Sequence, residues 1–457
     1  MAEGAVQRFW TPQAWVDGAW ARDVLLGVDE GGHWAAVQPG ASAAQRSAAQ
    51  VLSGPVLPGL VNAHSHAFQR AIAGLTERPG PQGDDFWSWR DRMYSVALRI
   101  TPAQLEVIAT QLYSELLAGG YTQVCEFHYL HNPVQGPVGQ VEPLEMSLAL
   151  VRAARRVGMG LTLLPVLYMR SGFGASGLRD DQRRFASRPE VLMRLLDDLA
   201  GHTRDDPLVR LGLAIHSLRA VDAGPLDELA AFARERQLPV HIHIAEQPQE
   251  VQDCLAHTGQ RPIEWLLAHQ TLDARWHLVH ATHATAAELQ GVAQSGASIV
   301  ICPSTEANLG DGIFEYPLYS AAGGRWSVGS DSHVTRAWAE ELRLLEYGQR
   351  LKLGRRNVAA QAGQATGAAL FQGALAGGSS AAGCALGGLQ VGQRADFLVL
   401  DGSSAALLGV PVAYMLDAQV FSSPAGAFAQ VYVAGRHCTA EARWARDFSG
   451  VMSDLWS

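Results

Sequence analysis

Lysine is almost absent from this chain. Of 35 lysines and arginines in 457 residues, only Lys352 is a lysine, so arginine supplies every other fixed positive side chain. Cysteine is sparse as well. Cys125, Cys254, Cys302, Cys384 and Cys438 are scattered without CxxC spacing. An odd, unframed set of this kind excludes a disulfide scaffold and fits reduced thiols in a cytoplasm. Charged residues make up 17% against 48% hydrophobic, a globular composition rather than a disordered one. The formal net charge of −9 argues against a nucleic-acid surface. No run of 18 apolar residues occurs, so no transmembrane helix is expected. The start "MAEGAVQRFW" has no basic segment followed by an apolar core, so no secretory signal is expected. Neither nucleic acid nor membrane is therefore an expected partner, and the expected location is the cytoplasm.

What is present is a regular series. Eight apolar runs of strand length follow one another: "VLPGLVNAHSH", "YTQVCEFHY", "LTLLPVLYM", "VRLGLAIHS", "LPVHIHIAE", "WHLVHATHA", "ASIVICPST" and "RWSVGSDSH". Helix-like stretches fill most gaps, such as "TPAQLEVIATQLYSELLAGG", where Thr101 before Pro102 marks a start. Strands without strict alternation are covered on both faces. Eight strand–helix units predict a (β/α)₈ barrel in the α/β class. An open doubly wound sheet would commonly carry a Gly-rich phosphate loop after its first strand, and none is found. Near the N-terminus "DVLLGVDEGGHWAAVQPG" reads as a hairpin, and "GQRADFLVLD" and "AQVYVAGRHC" read as late strands. They predict a small β unit assembled from both ends of the chain. The expected layout is residues 1–55 and 376–457 for that unit and its connector, and 56–375 for the barrel. The Gly/Ala/Ser-rich residues 370–390 are expected to connect the two. The segment from Ala67 to about Ile100 reads as a long lid-like loop.

A barrel carries its chemistry at the C-terminal ends of its strands. Those ends hold His64 and His66; Glu126, His128 and Tyr129; His216, then Arg219; His241, His243 and Glu246; His277, His280 and His283; Asp331 and His333. Two residues apart on a strand, His64 and His66 point to the same side. Paired imidazoles inside an apolar tube call for a divalent cation. His243, with Glu246 three residues on, reads as the next ligand, and His241 as a lower-layer residue. Asp331 completes three histidines and one carboxylate, with water filling the site. Zinc is the expected metal, although iron, manganese or nickel would tolerate the same donors. The fourth run, "VRLGLAIHS", has no lysine to carry a bridging carbamate between two metals, so one metal is expected. His280 is expected to orient the water, Asp331 to take its proton and Glu246 to protonate a substrate nitrogen.

"NAHSH", "HIAE", "LVHATH" and "GSDSH" together resemble the amidohydrolase superfamily, whose members are metal-dependent hydrolases and deaminases on a (β/α)₈ barrel with a small β-sandwich. The resemblance implies His64, His66, His243 and Asp331 as metal ligands, with Glu246 and His280 catalytic. "NAHSHAFQRAIAGLTE", "FWSWRDRMY", "CEFHYLHN", "HSLRAV" and "HIHIAEQ" are similar to the branch that deiminates N-formimidoyl-L-glutamate in histidine degradation. That implies substrate contacts at Gln69, Arg90, Tyr129, His216 and Arg219, release of ammonia, and a small dicarboxylate substrate, with a homodimer as the assembly to consider. Planar arginine donors suit two carboxylates. An aminohydrolase of a guanine-, cytosine- or triazine-like ring shares the metal set, and Trp87 and Trp89 would suit it. A noncatalytic metal-binding barrel would leave Glu246 without a purpose, and a cyclic-amide hydrolase would call for a second metal or another leaving group.

Overall fold

The structure is a computed structural model that describes residues 7–79, 83–134, 144–422 and 427–457. Eight parallel strands form the inner sheet: β1 (Leu60–Ser65), β2 (Tyr121–His128), β3 (Gly160–Leu167), β4 (Leu213–Ile215), β5 (Val240–Ile244), β6 (Trp276–His280), β7 (Ser298–Ile301) and β8 (Arg325–Val328). They pair in sequence order, and a parallel bridge between Ser65 and Asp331 brings the two edges together. Each of these strands is buried over nearly its whole length, which explains why their sequences run apolar without alternation. Helices cover the outside. Pro102–Ala118 starts where its sequence predicts: Thr101 Oγ1 accepts from Gln104 N, and Gln104 reaches back to Thr101. Ala223–Arg236, Ala286–Ser295 and Trp338–Leu353 likewise fall on the patterned stretches.

A second sheet is built from both ends of the chain. Its order is Arg436–Cys438, Phe428–Val433, Phe397–Leu400, Val56–Pro58, Gln7–Val16, Ala19–Val28 and Trp34–Gln38. The expected hairpin is present, with Leu25 opposite Gln38 and Val28 opposite Trp34. Trp34 and Phe397 lie four strands apart in this order, yet their rings are 5.5 Å apart. The sheet therefore folds over a core of its own, with Phe9, Val24, Leu26 and Tyr432 in it.

Several local expectations are corrected. The run "VLPGLVNAHSH" is two strands, because Val56–Pro58 pairs with Phe397–Leu400 in the outer sheet and only Leu60–Ser65 enters the barrel. The chain passes between the sheets at Gly59, where any Cβ would lie 2.3 Å from Thr122. The run "VRLGLAIHS" is also divided: Val209–Leu211 pairs only with β3, and β4 begins after Gly212. The supposed connector is a 17-residue helix, Thr366–Ala382, packed on β8 and β1. Its glycines are what let it approach, since a Cβ on Gly377 would lie 1.8 Å from the Trp326 carbonyl oxygen and one on Gly378 would lie 2.9 Å from Val61 Cβ. The loop after β1 holds a helix, Phe86–Ala97, capped by Asp85. No helix among the described residues is long and apolar enough to cross a membrane.

Candidate active site

The end of β1 delivers His64 and His66, and barrel closure sets Asp331 beside both. Asp331 N donates to the His64 carbonyl (3.0 Å) and His66 N to the Asp331 carbonyl (3.3 Å). This seam depends on Gly329, where a Cβ would lie 2.6 Å from His64 Cβ. Asn62 fastens it from below, donating to Ser330 Oγ (2.7 Å) and accepting from Ser330 N (2.9 Å). Asp331 and His280 both adopt left-handed backbone, with φ of 45° and 70°. Such conformations persist in non-glycine residues only where surrounding contacts hold them, as at functional centres.

The imidazoles converge. His64 Nε2 lies 3.1 Å from His66 Nε2 and 3.0 Å from His243 Nε2. Asp331 Oδ1 lies 3.4 Å from His64 Nε2 and 3.3 Å from His66 Nε2. His66 Nδ1 donates to the Phe127 carbonyl (2.9 Å) and His243 Nδ1 to the His216 carbonyl (3.0 Å). Both rings thus direct a bare Nε2 lone pair at the same point. Burial lowers His64 to about 3 and pushes His66 and His243 down as well, so the rings are neutral. For Asp331, burial alone would raise the carboxyl, but His64, His66 and His280 hold it well below the carboxylate range. Facing lone pairs repel unless a cation lies between them. A tetrahedral ion with bonds of about 2.0–2.1 Å separates its ligands by about 3.3–3.4 Å. The three histidines and Asp331 therefore fit a divalent metal on donor type and spacing, and His66 and His243 also on tautomer.

His280 and Glu246 stand beside this cluster. His280 Nε2 is 3.6 Å from Glu246 Oε1 and 3.8 Å from Asp331 Oδ2. Burial raises Glu246 to about 7 against the pull of His280 and Arg219. A carboxyl poised there can both hold and release a proton near neutrality. Burial would lower His280, but Glu246, Glu306 and Asp331 hold it up, to about 10, before any cation's charge is counted.

The remaining predicted residues line one cavity of about 460 Å³, mouth included: Gln69, Arg90, Tyr129, His216 and Arg219, together with His66, His243, Glu246, His280 and Asp331. Gln69 Nε2 donates to Tyr129 Oη (3.0 Å), which leaves the tyrosine proton free for a ligand. His216 stacks on Tyr168, with ring centroids 4.0 Å apart. Arg90, 9% exposed, forms no ion pair with Asp84, Asp85 or Asp91; Arg92 takes Asp84 and Arg179 takes Asp91. Its Nε has no hydrogen-bond partner among the described residues, and neither has Arg219 Nη1. The closest carboxylate to Arg219 is Glu250, at 3.6 Å. Trp87 backs both guanidinium groups, 4.5 Å from that of Arg90 and 6.0 Å from that of Arg219. Trp89, by contrast, lines the cavity.

Other strand-end residues fall outside the centre. Glu126 is buried beneath it, accepting from Ser65 Oγ, Ala67 N and Tyr113 Oη. His241 and His277 pack together lower in the barrel, on the Ala381 carbonyl and Ser298 Oγ. Lys352 pairs at the surface with Glu315. Sequence reasoning gave no role to Tyr168, which ends β3 and should have been found by the strand-end rule. It also passed over Tyr94 on the lid helix, Glu306 in the short helix Pro303–Leu309 after β7, and Asp311, whose carboxylate accepts from Gln247 Nε2. The last two lie beyond the strand's end, where no periodic signal points to them.

Known proteins resemble the chain in sequence and fold. The profile of the Amidohydrolase family matches residues 56–438. A formimidoylglutamate deiminase from Pseudomonas aeruginosa is 46% identical over 449 residues, covering 95% of this chain and 96% of that protein. An 8-oxoguanine deaminase from the same species is 29% identical over 311 residues, 65% of each chain. Among solved structures, an amidohydrolase from Brucella melitensis superposes with a TM-score of 0.92 at 41% identity, covering 99% of this chain and 100% of that one. A zinc-bound adenosine deaminase from Xanthomonas campestris shares the fold at 21% identity, with a TM-score of 0.81 over 99% of both chains. A match that runs from the split strand before the histidine pair to the last strands of the outer sheet takes in every residue of the cluster, and the chain belongs to the amidohydrolase family.

Proposed function

We propose that the protein hydrolyses N-formimidoyl-L-glutamate to N-formyl-L-glutamate and ammonia. The observation that carries this reading is the pair of buried arginines, Arg90 and Arg219. Both have unspent donors in a cavity whose other wall is the histidine cluster. A buried guanidinium with free N–H groups asks for a carboxylate, and the substrate has two. The relative from Pseudomonas aeruginosa, similar over nearly the full chain, supports it.

His64, His66, His243 and Asp331 would hold one divalent metal, zinc by the donor set, which when bound supplies an acidified water at neutral pH. Arg90 and Arg219 anchor the carboxylates and turn the formimidoyl carbon toward the cluster. Tyr129 and Gln69 hold the head group. His280 orients the attacking water. Asp331 accepts the proton that water loses as its oxygen bonds to the C=N carbon. Glu246 delivers a proton to the imino nitrogen as the C=N bond opens; the proton taken by Asp331 then passes to the same nitrogen, which leaves as ammonia when the C–N bond breaks, and the adduct's hydroxyl proton returns to Glu246 as the new C=O forms. The lid helix Phe86–Ala97, tied down by Arg92 on the Thr76 carbonyl and by Asp91 on Arg179, excludes bulk water. The reading carries with it a role in histidine degradation, a cytoplasmic location and a free small molecule as substrate.

A heteroaromatic aminohydrolase is the second reading, favoured by Trp89 and Phe86 in the cavity wall. An ammonia-release panel separates them: formimidoylglutamate, formiminoaspartate, guanine, cytosine and 8-oxoguanine. A clear kcat/KM preference for formimidoylglutamate is expected, and preference for a ring substrate overturns the assignment.

A further inference from the structure

We propose that Glu306 is the positioning residue for His280, and that the short helix Pro303–Leu309 holds both proton-handling groups in register. The inference rests on the hydrolytic reading of the site, though not on one substrate.

Three consecutive side chains of this helix reach three different elements. Ser304 Oγ donates to Glu341 Oε1 (2.6 Å), fixing the helix to Trp338–Leu353. Thr305 Oγ1 lies 2.9 Å from Ser332 Oγ and accepts from Ser332 N (3.1 Å), gripping the residue after Asp331. Glu306 Oε1 lies 3.3 Å from His280 Nδ1 and accepts from Cys302 N (2.8 Å). All three are buried.

Glu306 decides what His280 can do. With Nδ1–H donating to Glu306, the ring must turn Nε2 toward Glu246 and Asp331, at 3.6 and 3.8 Å. Without that acceptor, the ring could rotate and would no longer present a fixed nitrogen to the water. Glu306 itself does not line the substrate cavity, so it acts through His280 and touches no reacting atom.

The test compares Glu306→Ala and Glu306→Gln with the metal-loaded wild-type enzyme, on whichever panel substrate the wild type turns over. Should formimidoylglutamate fail and another substrate succeed, the substrate assignment falls while this test still runs. Glu306→Ala is expected to lower kcat about 10- to 100-fold with KM within about twofold and full metal content, the range seen when a buried orienting partner is removed. Glu306→Gln keeps an acceptor for Cys302 N and His280 Nδ1–H, and should recover most of that loss. An activity-independent readout is ¹H–¹⁵N NMR of the His280 ring, assigned with His280→Gln: a hydrogen-bonded, slowly exchanging Nδ1–H in the wild type and in Glu306→Gln, and loss of that protected Nδ1–H in Glu306→Ala. An unchanged kcat, an unchanged His280 spectrum in Glu306→Ala, or equal losses in both variants accompanied by loss of metal or melting temperature would overturn the proposal.

Discussion

Replacing Arg219 with methionine keeps an unbranched stem and removes every donor. Arg219 is 7% exposed, so the substrate bond it makes is largely shielded from water. Its nearest carboxylate, Glu250, also accepts from the Ala245 and Glu246 amides at 3.2 Å and keeps those partners after the substitution. A hydrogen bond to a charged group contributes about 1.5–3 kcal/mol. A bidentate carboxylate contact therefore contributes about 3–6 kcal/mol, and at about 1.4 kcal/mol per factor of ten Arg219→Met should lower kcat/KM by about 10²- to 10⁴-fold. The assay is steady-state ammonia release from formimidoylglutamate and from two analogues, each lacking one carboxylate: N-formimidoyl-4-aminobutyrate and N-formimidoyl-2-aminobutyrate. One analogue should be poor for the wild type by a comparable factor and indifferent to the substitution, because the partner of Arg219 is already gone. An equal loss on all three substrates would mean that Arg219 shapes the site without binding a carboxylate, and an unchanged kcat/KM on the full substrate would refute its role altogether.

His243→Ala and Asp331→Asn should each lose activity together with bound metal, measured as metal per chain after dialysis; full metal with no activity would remove them from the ligand set. His131, buried with Nε2 on the Val166 carbonyl, is pushed down by burial to about 4 from 6.5. Its neutral form is favoured by folding, so its contribution is complete above pH 6.5 and is lost as pH falls toward 4. Wild-type stability should drop by about 2 kcal/mol from this group between pH 7 and 5. Urea midpoints of His131→Gln should fall less steeply over that range, and identical slopes would count against the argument. Gly377→Ala places a methyl 1.8 Å from the Trp326 carbonyl oxygen and should destabilise by about 1–3 kcal/mol, whereas Gly402→Ala, with nothing within 4 Å, should leave the melting temperature unchanged. Equal melting temperatures for the two variants would show that the helix can shift at no cost.

The barrel was legible because each inner strand is buried on both faces and so announces itself as an apolar run ending in a polar residue. The centre was legible for a related reason. Histidines and acids at the ends of apolar strands are conspicuous, and His64, His66, His243, Glu246, His280 and Asp331 do meet. Hydrogen-bond partners are not written in a strand's own composition. Val56–Pro58 is as apolar as Leu60–Ser65, and only the Gly59 crossing assigns them to different sheets. Thr366–Ala382 misled for the opposite reason: the Gly, Ala and Ser of residues 370–390 read as a connector, yet close approach to Trp326 and Val61 requires small residues on this helix. Glu306 and Tyr94 sit on helices whose placement over the site depends on tertiary packing, so their roles emerge only in three dimensions.

The outer sheet also orders events during synthesis. Val56–Pro58 precedes the metal-binding histidines directly, but its antiparallel neighbour Phe397–Leu400 is some 340 residues later in the chain. A ribosome therefore releases the whole barrel, from His64 to Asp331, before the strand that precedes the first ligand, already beside Gln7–Val16, gains its second neighbour. Contacts that close so long a loop form late and slowly. The nascent barrel must hold its first strand by its parallel neighbour β2 and by the Asp331 seam, with the sheet that braces it completed last.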